Sequence, residues 1–130
     1  MGLDQALRHP TIGERPRVDL EAGRLVGSRC DECQAVAWPG RAVCHRCGSA
    51  EVRESRFATT ATMRTCTEVM VGRPGLDVPY WLAQVVVDDS GPVLFGRLTG
   101  MNGAPDLPCP VDVKTGVDSF GAPTYWFEPR

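Results

Sequence analysis

Four cysteines stand as two Cys-x-x-Cys pairs, Cys30-Asp31-Glu32-Cys33 and Cys44-His45-Arg46-Cys47, with ten residues between the pairs. A Cys-x-x-Cys turn presents two sulfurs to one ion from a tight knuckle, and two knuckles complete a tetrahedral thiolate shell. Zn²⁺ favours such a shell, with Zn–S bonds of about 2.3 Å. Gly48 follows the second pair, where a backbone free to adopt positive φ lets N–H groups turn back toward sulfur. Gln34 holds the equivalent place after the first pair and suits it less well. Four thiolates leave no open coordination position, so the zinc expected on Cys30, Cys33, Cys44 and Cys47 is structural. Iron fits the same S₄ cage. A redox dithiol would need one pair beside a βαβ pattern, which this chain lacks. His45 lies inside the second knuckle and could replace a cysteine as ligand, but four thiolates already satisfy the ion, so it is expected to face solvent.

The other candidate residues offer little chemistry. Cys66 and Cys109 lie far from both histidines, His9 and His45, and a nucleophilic thiol needs a base and an oxyanion site. Cys66 falls in a β-rich run and reads as a small hydrophobe. Asp88, Asp89 and Asp106 occupy turn contexts. No catalytic set is predicted. The aromatics, from Trp38 and Phe57 to Tyr125, Trp126 and Phe127, could stack bases, but core packing or a protein interface suits them better. The six arginines Arg24, Arg29, Arg41, Arg46, Arg53 and Arg56 could contact phosphate or simply form a solvated surface beside the metal.

Bulk properties narrow the class. The chain has 130 residues, 42% hydrophobic and 23% charged, with net charge −2, a globular composition. Residues 23–56 carry six Arg against four acids, while residues from 57 onward carry five basic groups against eight acids. An anion-attracting groove is therefore not expected on the longer half. The N-terminus shows no apolar h-region, and no run of eighteen apolar residues is present. A cytoplasmic protein without membrane contact is the expectation, and in a reducing compartment paired cysteines act as metal ligands.

Positioning the cysteines requires few elements. Residues 1–23 are expected to form an N-terminal arm and a short helix, with "RVDLEAGRL" as the helical stretch and Gly23 as its stop. Residues 24–52 form a zinc ribbon, in which "AVAWPGRAV" turns as a hairpin at Pro39-Gly40. Residues 53–130 form a barrel. "TATMRTCTEVMV" predicts a long curved strand. In "YWLAQVVVDD" the odd positions Trp81, Ala83, Val85 and Val87 are all apolar and predict the core face. "DDSG" (88–91) predicts a hairpin turn back through "PVLFGRL". "VDVKTGVD" alternates, and "TYWFE" supplies the last strand. The fold class is mainly β: arm, rubredoxin-like zinc ribbon, then a five-stranded OB-type barrel.

The stretch "GRLVGSRCDECQAVAWPGRAVCHRCGS" resembles the opening of the bacterial and archaeal zinc-ribbon/OB-fold family associated with acyl-CoA metabolism. Trp38-Pro39 supplies its aromatic-Pro step and Cys47-Gly48 closes its ribbon. "PYWLAQVVVDDSGPVLFGRL" resembles the family's second and third barrel strands, and "FEPR" its end. The resemblance implies a non-catalytic accessory subunit that binds and stabilises a thiolase-fold enzyme. That enzyme is an acyltransferase, a thiolase or a retro-aldolase of steroid side-chain degradation, acting in lipid metabolism. A second pathway enzyme such as a hydratase is an implied further partner. A share in the acyl-CoA channel, with coenzyme A thioester contacted inside the complex, is implied as well. The alternative reading is a nucleic-acid-binding zinc-ribbon/OB-fold protein, which the acidic barrel disfavours.

Overall fold

The computed structural model describes residues 17–130. Nine strands appear, and no helix forms among the described residues: β1 (Val18–Asp19), β2 (Arg24–Cys30), β3 (Val36–Ala37), β4 (Val52–Arg56), β5 (Thr60–Val69), β6 (Tyr80–Val87), β7 (Val93–Leu98), β8 (Cys109–Val117) and β9 (Pro123–Pro129). The first four make a small sheet centred on β2, and the last five close into a barrel in the order β5-β6-β7-β9-β8. The mainly β class and the five-stranded barrel match the expectation.

Two local expectations are corrected. The helix over 17–25 does not form; β1 pairs antiparallel with β2, Val18 opposite Leu25 and Asp19 opposite Arg24. A turn wins here because the Asp19 carboxylate accepts the Ala22 N–H at 3.0 Å and Gly23 takes φ 69°, so its conformational freedom serves the reversal rather than a helix end. The arm over residues 1–16 lies outside the described residues. The hairpin at Pro39-Gly40 is also absent, because β3 pairs back onto β2, Ser28 opposite Ala37 and Arg29 opposite Val36. The chain beyond β3 then lies flat against β2. A Cβ on Gly40 would stand 3.3 Å from the Gly27 carbonyl carbon, and the Arg41 N–H donates to the buried Ser28 hydroxyl at 3.0 Å.

β4 pairs with β2 from Val26–Arg56 to Cys30–Val52, so the sheet changes between Arg56 and Thr60. In the barrel β5 is long and coiled, its register against β6 shifting between Met63 and Thr65. A bulge at Arg64 supplies the bend that closure requires. The predicted odd face of β6 points inward: Ala83, Val85 and Val87 are fully buried, while Trp81, near the barrel end, is half-buried against the core. Val111 and Val113 of β8 are buried too, but Val117 at the strand end is exposed. The 88–91 turn forms, with Asp89 and Ser90 both at φ 59°. Thr60 Oγ1 donates to Asp88 Oδ2 at 2.6 Å, a contact that ties the start of the turn to β5.

Ribbon and barrel share one apolar core. Leu25 and Phe57 are buried in the same cluster as Met63, Val85, Leu98, Val111 and Phe127, and Val36 and Trp38 pack against it. The Phe57 N–H donates to the Leu25 carbonyl at 3.0 Å, fixing the corner where the chain leaves one sheet for the other.

Candidate metal centre

The two knuckles are built alike from backbone hydrogen bonds. The Cys30 N–H donates to the Ala35 carbonyl and the Cys44 N–H to the Ser49 carbonyl, both at 2.9 Å. The Gln34 N–H closes onto the Cys30 carbonyl at 3.0 Å, and the Gly48 N–H onto the Cys44 carbonyl at 3.1 Å. Both residues after the pairs adopt the left-handed region, Gln34 at φ 66° and Gly48 at φ 78°. Gln34 is braced there by its side-chain amide, which donates to the Asp31 carbonyl at 3.2 Å. Strand β2 delivers the first knuckle at its C-terminal residue, Cys30.

The four Sγ atoms lie within 4.8 Å of one another. Across the knuckles, Cys30 and Cys47 stand 3.6 Å apart and Cys33 and Cys44 3.5 Å. A tetrahedron with Zn–S bonds of about 2.3 Å has S–S edges of about 3.8 Å, so the cage fits the ion closely. These separations far exceed the ~2.05 Å of a disulfide, and none of the six cysteines is joined in one.

The protons of this cage are unevenly held. The Cys47 and Arg46 amides, at 3.5 and 3.4 Å from the Cys44 sulfur, draw that thiol down to about 6. The Ser49 amide draws Cys47 in the same direction. Its contact with Cys30, lost hydration and the contacts with Cys33 and Cys44 outweigh that pull, and the Cys47 thiol is pushed up to about 12. The fold alone thus favours the Cys44 thiolate and disfavours that of Cys47.

Elsewhere the structure separates the remaining candidates. His45 is exposed and stands outside the cluster of four. It lines, with Val36, Trp38, Pro39 and Arg41, the ribbon side of a groove of about 450 Å³ whose other wall is Gly91, Pro92 and Val93. Four of the six ribbon arginines are engaged internally. Arg53 pairs with Asp31 at 3.0 Å and Arg56 with Asp19 and Glu54 at 2.8 and 3.0 Å. Arg24 donates to the Phe57 carbonyl and Arg29 to the Gln34 carbonyl. Cys66 lies opposite Ala83 and Cys109 opposite Met63, on neighbouring strands but at different levels of the barrel. The sequence reading missed the role of Trp38 and Tyr125, whose rings meet edge-on with centroids 5.0 Å apart and join ribbon to barrel. The Trp38-Pro39 step was the available signal.

Comparison with known proteins places this architecture. Residues 17–53 match the family model of the ChsH2 rubredoxin-like zinc ribbon domain. A DUF35 domain-containing scaffold protein of Pyrococcus furiosus is 30% identical over 100 residues, covering 75% of this chain and 67% of that protein. The chain belongs to the DUF35 family. A solved structure described as "Ltp2-ChsH2(DUF35) aldolase" shares the fold, with a TM-score of 0.70 and 24% identity over 88% of this chain and 98% of that one.

Proposed function

We propose that this protein is a non-catalytic accessory subunit that binds and stabilises a thiolase-fold enzyme acting on acyl-CoA substrates. The observation that carries the reading is family membership. The archaeal relative is a scaffold protein, and the solved structure with the same fold is described as an aldolase containing a DUF35 component. The surface supports it. Val71 and Phe120 are 88% and 93% exposed, and Met70, Val93 and Phe95 lie open as well. Exposed side chains of this size suit contact with another protein. No helix among the described residues is long and apolar enough to cross a membrane.

In this reading Cys30, Cys33, Cys44 and Cys47 hold a structural zinc, which supplies cross-linking rather than reaction chemistry. The chain's own residues organise the knuckles, seat the ribbon on the barrel and present the outer face to the partner. The nucleophile and base that act on the thioester belong to that partner, as do most contacts to coenzyme A. The partner is an acyltransferase, a thiolase or a retro-aldolase of steroid side-chain metabolism, the last supported by the aldolase in the description of the solved structure, with a hydratase as a second bound enzyme. Purified to homogeneity, the zinc-loaded chain is expected to turn over no acyl-CoA thioester. Robust thiolysis, acyl transfer or retro-aldol cleavage that survives rigorous removal of host thiolases would overturn the reading.

A further inference from the structure

The barrel has one thin seam. β5 and β6 pair from Ala61–Val87 to Val69–Tyr80, and β8 and β9 from Val111–Pro129 to Val117–Pro123. β7 and β9, which run parallel, share the single register pair Leu98–Phe127, extended by the Thr99 N–H donating to the Phe127 carbonyl at 2.9 Å. Away from that point a side chain bridges the two strands. The Tyr125 hydroxyl of β9 donates to the Phe95 carbonyl of β7. Gly96 makes room for the ring; a Cβ there would stand 2.8 Å from Tyr125 and 3.1 Å from Phe127.

The bridging tyrosine is braced from the ribbon. Trp38 stands edge-on to Tyr125, with an interplanar angle of 81°, and Tyr125 in turn leans on Phe127, centroids 5.7 Å apart. Trp38 is itself fixed, because its Nε1–H donates to the Arg17 carbonyl at 3.0 Å. It belongs to the segment between the two cysteine pairs, which β3 and the Arg41 N–H hold on β2 and which the knuckles at Cys33 and Cys44 bound at either end. The thinnest seam of the barrel therefore rests against a residue of the metal-binding loop.

We propose that the ribbon locks the β7–β9 seam through Trp38 and Tyr125, so that loss of the metal releases β9 from β7 while the β6–β7 and β8–β9 ladders stay paired. The proposal uses the structural-zinc reading of the four cysteines and is independent of which enzyme the protein accompanies. A barrel that opens at one seam exposes Phe127, fully buried when closed, and gives metal loading control over the shape offered to a partner.

Residue-resolved amide hydrogen exchange on the full chain tests this, with Thr99 reporting the seam and Val85, whose N–H faces β7, the neighbouring β6–β7 ladder. In Trp38→Ala carrying its full complement of zinc, the Thr99 amide is expected to exchange about tenfold faster with Val85 unchanged, a local opening. Chelation of the wild-type protein is expected to give the same ranking. Tyr125→Phe, which removes only the hydroxyl bridge, provides a milder variant if Trp38→Ala fails to fold; it should accelerate Thr99 by about threefold. Unchanged Thr99 exchange in zinc-loaded variants, or equal acceleration of Thr99 and Val85, would overturn the lock. Because metal content is measured alongside, a failure of zinc binding is distinguished from a failure of the seam.

Discussion

Gln34 and Gly48 occupy equivalent places one residue past each cysteine pair, and both hold the left-handed backbone, at φ 66° and 78°. The shared conformation lets each N–H close onto the carbonyl of the first cysteine in its knuckle. An L side chain there costs about 1–2 kcal/mol, and only the second knuckle avoids that cost. Gly48→Ala is expected to lower the stability of the zinc-loaded protein by about 1 kcal/mol, although no atom crowds the added Cβ. Gln34→Gly should raise it by a few tenths to about 1 kcal/mol, reduced by the loss of the Asp31 contact and by glycine's greater chain entropy. Denaturant midpoints of the two variants check both signs.

Cys44→Ser and Cys47→Ser each break the tetrathiolate cage and are expected to leave the protein with little bound zinc. A zinc module gains about 10–16 kcal/mol from its metal at peptide scale, so the ribbon should lose its ordered signals in either variant. Metal content by mass spectrometry and the melting curve provide the check. Full metal retention with unchanged melting contradicts the structural-zinc assignment.

Gly27 sits where β2, the turn after β3 and Phe57 converge. A Cβ there would collide with the Ala37 backbone carbonyl and stand 2.7 Å from the Phe57 ring. Backbone cannot yield as a side-chain tip can, so Gly27→Ala is expected to cost about 3 kcal/mol. The cost should appear in chemical denaturation with zinc still bound at the start of the transition.

Much of this architecture is legible along the chain, and what is not has a physical reason. The core face of β6 follows from Ala83, Val85 and Val87 because alternation is a local property. The metal cage follows from spacing because each knuckle is a local turn. The helix expected at 17–25 failed because a nine-residue stretch fits either state until its partner is known, and that partner, Leu25 opposite Val18, makes it a hairpin. The seat of β4 on β2 and the meeting of Trp38 with Tyr125 join segments far apart in sequence. No periodicity encodes such pairings.

The Asp19–Arg56 ion pair ties the first turn to β4. The Arg56 guanidinium and then the Ala22 amide hold the Asp19 carboxyl below its ordinary value of 3.8. A carboxyl with a lowered folded-state value stabilises the fold above its unfolded value and loses that contribution as pH falls through the folded one. The melting difference between wild type and Asp19→Asn should therefore be full at neutral pH and shrink below 3.8. Raised salt should narrow it as well, because the pair is solvent-facing. A difference that grows on acidification contradicts the assignment.

The central claim is that this chain works as a partner's subunit, and the most direct measurement is affinity capture of the tagged protein from its native host. The intact complex is then weighed and its components are sequenced. A thiolase-fold enzyme held in near-stoichiometric amount through washes of rising salt is the predicted result. Recovery of nucleic acid, lost as salt rises and with no such enzyme present, would contradict the account and favour the nucleic-acid reading.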